Sequence, residues 1–357
     1  MNAEKLKKLS GSLTIRPGRV PSILGSRPAL AGPLLRGHPA AAAPSYLPML
    51  YSLCGKAHRL TAQLAVQAAH DGCEQIDDEM PRALHQEAQR EHLHRMLLDW
   101  PRWLGQPQPD TAELHKWALN PAVTLAQWLG MPLDEWLAQW QADPRQALTD
   151  WTRRSDHWLA ALLGSCREDA DALRITVNPL NCAGDPAAML TIAGQLSSDP
   201  GFTRYPELYG TPRETGCWTR QQQDAPARID SAWLRLGARV AELARLTLDD
   251  TPSLSLGALS LGDGKALAWS ETARGLLIHH IRLEGDAQAP RIGDYHVIAP
   301  TEWNLHPQGG LAMALSTLPV DDPASRQRAN VLMAAFDPCI TFELEPLPAG
   351  PRMQPHA

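Results

Sequence analysis

Five short stretches of the chain carry side chains able to do chemistry. Cys54-Gly55-Lys56-Ala57-His58 sets a thiol and an imidazole at i and i+4, on one face wherever the segment is helical. Such a pair can approach one metal together, or the imidazole can hydrogen-bond a metal-bound sulfur. Phe336-Asp337-Pro338-Cys339 offers a second thiol. Pro338 biases Asp337 to extended conformations and presents Cys339 from a stiffened turn. Glu271 to His279 spans a turn between two strand-like runs and holds Arg274 at a sheet end. An Arg followed by Gly there suits donation to an anion or a small polar ligand; a solvated turn arginine is the alternative. His279 and His280 point to opposite faces of a strand and do not share a metal. Thr301, in Pro300-Thr301-Glu302-Trp303-Asn304, supplies a hydroxyl after another strand. Pro212 to Arg220 is a charged turn with no reactive arrangement of its own.

The elements that must position these groups are readable in part. Real helical periodicity begins after Pro48, where Leu53, Ala57, Leu60, Leu64 and Ala68 form one stripe. A second helix starts at Pro81 and runs towards Trp100, with His85, His92 and His94 on a solvated face. Residues 100–158 hold eight of the 12 tryptophans, spaced for packing rather than for substrate stacking. Asp185 to Gln223 is turn-rich, and a helix with Trp233, Leu236, Val240 and Leu243 follows. From Ser253 the texture changes to short apolar runs cut by Gly and Asp: Leu254 to Leu261, Ala266 to Trp269, Leu276 to Leu283 and Tyr295 to Ile298. These predict antiparallel strands and hairpins. Asn330 to Phe336 is helical or compact. The pattern predicts an α+β fold, mainly helical, with a small antiparallel C-terminal sheet.

Composition narrows the function classes. A chain of 357 residues that is 44% hydrophobic can bury a sizeable core. A formal charge of -6 argues against a general nucleic-acid binder. No apolar run reaches 18 residues, so no membrane span is expected. Polar residues interrupt the stretch after Lys5, Lys7 and Lys8, which predicts no signal peptide and a cytoplasmic location. The six cysteines contain no Cys-x-x-Cys pair and read as reduced thiols. Four of them, Cys73, Cys166, Cys182 and Cys217, read as packing. Walker A, dinucleotide-glycine, His-Glu-x-x-His and Gly-x-Ser-x-Gly patterns are all missing.

Taken in order, the five stretches gain meaning. Cys-x3-His at 54, Glu-Thr-Gly with Arg at 214–220, Ala-Arg-Gly-x-Leu-x-His at 273–279, Pro-Thr-x-Trp-Asn at 300–304 and Phe-Asp-Pro-Cys at 336–339 resemble the large subunit of nickel-iron hydrogenases. The likeness spans about residues 50–345, dense over 271–339 and diffuse over 75–200. It implies a large-subunit-like domain over 45–345, ahead of a short tail over 346–357; before it, the Pro and Gly of Arg27 to Pro33 and Ala40 to Pro44 make residues 1–44 an extended lead-in, with room for a strand near Leu13 to Ile15.

In those enzymes four cysteines, in two Cys-x-x-Cys pairs, hold the metals. Two bridge nickel and iron, and the iron carries two cyanides and a carbon monoxide. The resemblance places Cys54 and Cys339 in this set and puts Tyr51 and Phe342 where the other two thiolates belong. Glu345 replaces the terminal His that marks a processing site, so removal of a C-terminal extension is not expected. The Arg-x-Glu-Gly-His segment of the enzymes has only Ile15 to Arg19 as its nearest text. Nickel thus loses half its ligands, and hydrogen chemistry is expected to fail.

The retained residues are those that would hold iron. Cys54 and Cys339 would ligate it, and His58 would hydrogen-bond the Cys54 sulfur. Arg274 and Thr301 would face the cyanides, and Asp337 would stand beside Cys339. The chain is therefore similar to hydrogenase accessory proteins of the HupK/HoxV type. That implies a non-enzymatic scaffold or metallochaperone for an iron–cyanide–carbonyl unit, without nickel, serving a true large subunit together with maturation proteins. A metal-free assembly protein and a divergent redox enzyme are the alternatives.

Overall fold

A computed structural model describes residues 11–199, 201–221, 229–248 and 254–347. Lys5, Lys7, Lys8, Gln222, Gln223, Ser253 and residues 348–357 of the tail lie outside the described residues.

Glycine and aspartate punctuation after residue 253 marks an antiparallel meander. Strands β5 (Leu256–Gly262), β6 (Lys265–Thr272), β7 (Gly275–Glu284) and β8 (Arg291–Ile298) lie in sequence order. Both faces are covered. Ala266, Ala268, Leu277 and Ile281 pack towards the Gly55–Asp71 helix, while Leu267, Leu276 and Ile278 pack with Ile192 and Trp303 on the other side. The period-2 alternation sends His279 to the first face, where it meets His58. His280 stands beside His296 instead.

The lead-in is not simply extended. β1 (Ser12–Ile15) pairs antiparallel with β2 (Ile23–Ser26) and parallel with a strand from the far end of the chain. Between them, in sequence, come the short hairpin β3 (Glu207–Leu208) with β4 (Thr211–Pro212), and the meander. The far strand is β9 (Phe342–Leu344). Leu13 and Ile15 are buried beneath this three-stranded sheet, whose order is β2-β1-β9. Pairing that spans most of the chain is invisible to local pattern, which is why the segment read as a leader. A helix at Ala31–Leu35 follows.

The helix expected after Pro48 starts later, at Gly55, and Leu53 is exposed rather than part of its stripe. Pro48 instead lies inside a preceding helix, Ala43–Leu50. The second helix, Glu79–His94, runs through a π-type turn at Arg95–Asp99 into Trp100–Trp103. The tryptophans pack as expected. Trp100, Trp128, Trp136, Trp140 and Trp151 are buried, with Trp136 and Trp140 stacked at 5.7 Å. Ala232–Leu248 is the central helix of this core, buried nearly all round. A β-carbon on its Gly237 would sit 2.6 Å from the Trp140 ring, so only glycine lets the two elements close.

One expectation fails in an informative way. His85 and His92 are buried, not solvated; of the three histidines only His94 is exposed. The Glu79–His94 helix turns Glu87, Glu91 and His92 inward, and Arg95 just beyond it is buried as well.

Candidate metal-binding site

Cys54 is the last residue before the Gly55–Asp71 helix. The first N–H groups of that helix, at Lys56 and Ala57, donate to the Glu87 carboxylate at 2.8 Å each. A carboxylate at a helix N-terminus satisfies orphan donors and opposes the dipole. Glu87 thereby fixes the helix start and the thiol beside it. One turn further on, Glu91 accepts from Arg274 Nη2 at 3.0 Å. Two carboxylates at helical spacing therefore hold two separate parts of the site.

Arg274 sits in the β6–β7 turn. Thr272 Oγ1 accepts from its N–H and donates to the Gly275 carbonyl. Gly275 has φ +124°, and a β-carbon there would meet Thr215 Oγ1 at 2.5 Å. Thr215 Oγ1 accepts from the Leu276 N–H, and the Asn304 side chain bonds both backbone polar groups of Thr215. The Glu-Thr-Gly, Ala-Arg-Gly and Trp-Asn stretches are thus knitted into one frame. Arg274 is buried, not a solvated turn arginine.

Asp337 departs from expectation. It does not take the extended form that Pro338 favours, but a left-handed one at φ 49°, ψ 62°. Its N–H closes the Pro323–Phe336 helix on the Met333 carbonyl. Its carboxylate lies among three buried guanidiniums: Arg95 Nε at 2.5 Å, Arg239 Nη1 at 3.0 Å and Arg274 Nε at 3.3 Å. These are ion pairs off the hydrogen-bonding axis, and both oxygens lack a hydrogen-bond partner among the described residues. Burial would raise the carboxyl pKa; Arg274, Arg95 and Arg239 reverse this and hold it below the usual range.

Two residues on, Cys339 is half-buried and receives several donors. Arg27 Nη2 donates to its sulfur at 2.7 Å and to its carbonyl at 3.0 Å. Thr301 Oγ1 lies 2.9 Å from the sulfur and accepts from the Cys339 N–H at 3.2 Å. With that lone pair engaged, the hydroxyl proton is free to point at sulfur. Thr301 was expected to face a diatomic ligand; its contact is the thiol.

Cys54 and Cys339 line one cavity of about 690 Å³, together with Tyr51 and Phe342. The four positions singled out in the sequence therefore meet around one space. Burial, and then Cys339, push the Cys54 thiol pKa up. His58 does not bond Cys54 as expected. Its Nδ1 meets His279 Nε2 at 3.0 Å, and its ring stacks on Tyr51 at 4.1 Å. The aromatic ring at position 51 draws the imidazole into a stack. His58 Nε2 and Arg274 Nη1 have no hydrogen-bond partner among the described residues. The same residues contain no group of three or more His, Cys, Asp or Glu able to hold a metal.

No protein-family model matches the chain. Several curated proteins do. The hydrogenase expression/formation protein HoxV of Cupriavidus necator is 40% identical, over 94% of this chain and 96% of its own. The chain belongs to the HoxV/HupK family of hydrogenase expression/formation proteins. HupK of Bradyrhizobium diazoefficiens is 30% identical over 91% of this HoxV/HupK chain and 92% of its own. Among solved structures, the nickel-iron-selenium hydrogenase of Desulfovibrio vulgaris Hildenborough aligns with a TM-score of 0.54 at 15% identity, covering 89% of this chain and 92% of that one. The reduced enzyme of Desulfomicrobium baculatum gives 0.54 at 13%, covering 92% and 95%. The fold is that of nickel-iron hydrogenase large subunits. No described helix is long and apolar enough to cross a membrane.

Sequence reasoning missed three parts of this candidate site. Arg27 lies in a Pro-rich stretch with no local signal; its partner is 312 positions away. Glu87, Glu91 and Arg95 did carry a signal, being charged residues four apart on one helical face. The third is the buried ion network. His92 Nε2 donates to Glu242 at 2.6 Å, and its Nδ1 accepts from Arg239 at 3.1 Å, which fixes a neutral tautomer. Arg220 closes the network on Glu242 at 2.7–2.8 Å.

Buried neutral histidines set the pH response. Burial lowers the pKa of His58 and His92, and takes His279 to about 3 and His280 to about 4. The unfolded chain takes up these protons near pH 6.5, whereas the folded chain does so only lower. Stability is therefore full above about pH 6.5 and falls below it, by at most about 1.4 kcal/mol per pH unit each for His279 and His280, with His58 and His92 acting in the same direction. Urea unfolding at pH 7.5, 6 and 5 is expected to show a steadily falling midpoint. A midpoint that holds constant to pH 5 would contradict this account.

Proposed function

We propose that this protein is an accessory scaffold in nickel-iron hydrogenase maturation. It holds an iron–cyanide–carbonyl unit between Cys54 and Cys339 and passes it to the catalytic large subunit. The observation that carries the reading is a cavity lined by two thiols, with spare donors beside it and, among the described residues, no group of three or more His, Cys, Asp or Glu able to hold a metal. A bare cation seeking about four protein ligands is poorly served by two thiols. An iron that arrives with diatomic ligands needs only those two, and soft thiolates suit it. The unpartnered Arg274 Nη1 is a donor for a cyanide nitrogen. A buried donor left unmade costs about 1–3 kcal/mol, so such an acceptor gains that much.

Loading releases protons, because thiolates are the ligands. Burial, and then Cys339, raise the Cys54 pKa, so this thiol would give up its proton to the solvent only as its sulfur binds the iron. Tyr51 and Phe342, where two further thiolates would complete a nickel site, make the protein non-catalytic. Its partners are the hydrogenase large subunit and other maturation proteins, in the cytoplasm.

Infrared spectroscopy tests the cargo. Protein purified anaerobically from cells with working cyanation machinery is expected to show cyanide and carbonyl stretches, with iron and without stoichiometric nickel. A preparation with neither band would favour a metal-free assembly protein. Stoichiometric nickel or hydrogen uptake would favour a redox enzyme.

A further inference from the structure

The resemblance puts nickel among four thiolates, and the residues present do not fit it. Cys54 and Cys339 line the cavity, but Tyr51 and Phe342 stand at the other two places. The described residues offer no group of three or more His, Cys, Asp or Glu able to hold a metal. Loss of two thiols weakens a metal site. A fixed cation beside a remaining thiol opposes one outright, and Arg27 is such a cation.

Arg27 follows directly on β2, and Pro28 restrains its backbone. Gly11 lets the chain pack closely there: a β-carbon on it would meet the Ser26 carbonyl oxygen at 2.6 Å and the Arg27 Cα at 2.9 Å. The Arg27 side chain then crosses to the far end of the sequence. Its Nη2 donates to the Cys339 sulfur at 2.7 Å and to the Cys339 carbonyl at 3.0 Å. Its guanidinium lies over the Tyr51 ring, 5.6 Å from the centroid. One group thus touches a retained thiol and the side chain at the place of a lost one. Its ion-pair partner Glu302 stands 3.8 Å from Nε, too far for a hydrogen bond. Glu302 is held in turn, accepting from the Ala299 N–H at 2.9 Å. A guanidinium is not deprotonated in a protein, so the charge is permanent. A metal ion sits about 2.3 Å from a thiolate sulfur. A divalent ion joining Cys339 to position 51 would therefore stand against this guanidinium, in a partly buried cleft where water screens little.

We propose that Arg27 stands in for a second metal ion: its guanidinium takes that ion's place on Cys339, and the cavity thereby refuses bare divalent cations, nickel among them. This deepens the scaffold reading and rests on it for what is let in; the refusal itself needs no cargo. An iron that arrives with cyanide ligands turns acceptors outward, which a guanidinium attracts. A bare cation offers it only repulsion.

Cobalt(II) chloride is the probe, since cobalt held by thiolates absorbs in the near ultraviolet. It is titrated without oxygen into the full chain, made in cells that lack cyanation machinery. The parent and the Tyr51→Cys/Phe342→Cys protein, which has four thiols at the site, are both expected to bind it weakly. Adding Arg27→Gln to the four-thiol protein is expected to raise affinity at least about 100-fold, and Arg27→Gln in the parent at least about ten-fold. Arg27→Lys, which keeps the charge, is expected to raise neither. Urea midpoints show that each variant is folded, and the single variant decides should the triple one not fold. Equal affinity with and without Arg27, stoichiometric cobalt in the four-thiol protein that retains Arg27, or a gain that survives Cys54→Ser/Cys339→Ser would overturn the proposal. Missing cyanide and carbonyl bands would leave these outcomes unchanged, so failure of the cargo reading is told apart from failure of this one.

Discussion

Asp337→Asn is expected to lower the free energy of unfolding by about 3–5 kcal/mol, the range for breaking a buried ion pair by removing one partner. The carboxylate is the shared counter-ion of Arg95, Arg239 and Arg274, all buried. Asparagine keeps the shape and tolerates the left-handed backbone at φ 49°, so the change isolates charge from strain. Asp337→Ala adds a local backbone cost of about 1–2 kcal/mol. Urea denaturation is the measurement, with the midpoint falling and the slope unchanged. The loss is large against a total of roughly 5–15 kcal/mol. The sign with pH also follows. The folded-state pKa is depressed, so this stabilisation is present above the unfolded value near 3.9 and disappears as pH falls through the folded one. An Asn variant as stable as the parent would show that the three arginines do not depend on this carboxylate.

Cys54→Ser and Cys339→Ser are each expected to abolish iron retention and hydrogenase maturation, with little loss of stability. Serine oxygen is a poor ligand for a centre that selects soft sulfur. The change removes little volume, so the fold is preserved. Groups that only orient a ligand typically matter by about 10–100-fold in metal affinity. Thr301→Val and Arg27→Lys, which disturb the surroundings of Cys339 and leave both thiols in place, should therefore give intermediate losses. The readouts are iron per protein, infrared band intensity and hydrogenase activity of a strain carrying each variant. Full activity from both serine variants would remove the thiols from the function altogether.

What could be read in advance depended on how far each signal reaches along the chain. The meander was legible because its turns are written locally: Gly262 and Gly264 at one end, Arg274 and Gly275 at the other. The Trp233 to Leu243 stripe was legible for the same reason. Cys54, Cys339, Arg274 and Thr301 were singled out because five stretches stood in a familiar order, and one cavity is lined by Cys54 and Cys339 together with Tyr51 and Phe342. Arg27 was not legible, since nothing about an Arg-Pro step foretells a contact with a sulfur 312 positions on. His92 misled because an isolated imidazole on a charged helix looks solvated; its burial depends on Glu242 and Arg239, 150 and 147 positions away. Asp337 misled because a local rule about proline lost to three arginines from three other elements. For Arg27, His92 and Asp337 the deciding partner was distant, and local propensity had no access to it.

The parallel clasp of β1 on β9 fixes an order in time. Arg27 follows directly on β2, and the sulfur it holds precedes β9 by three residues. Closing so long a loop comes late, because its entropy must be met before the contact repays it. During synthesis, which proceeds at about 5–20 residues per second from the N-terminus, β1 can pair with β2 early but lacks its second neighbour until Phe342 has emerged. A nascent chain on the ribosome therefore has Cys54 but no receptacle. On the scaffold function proposed above, uptake would wait until this segment is translated and the clasp has closed, so that only a folded molecule is competent.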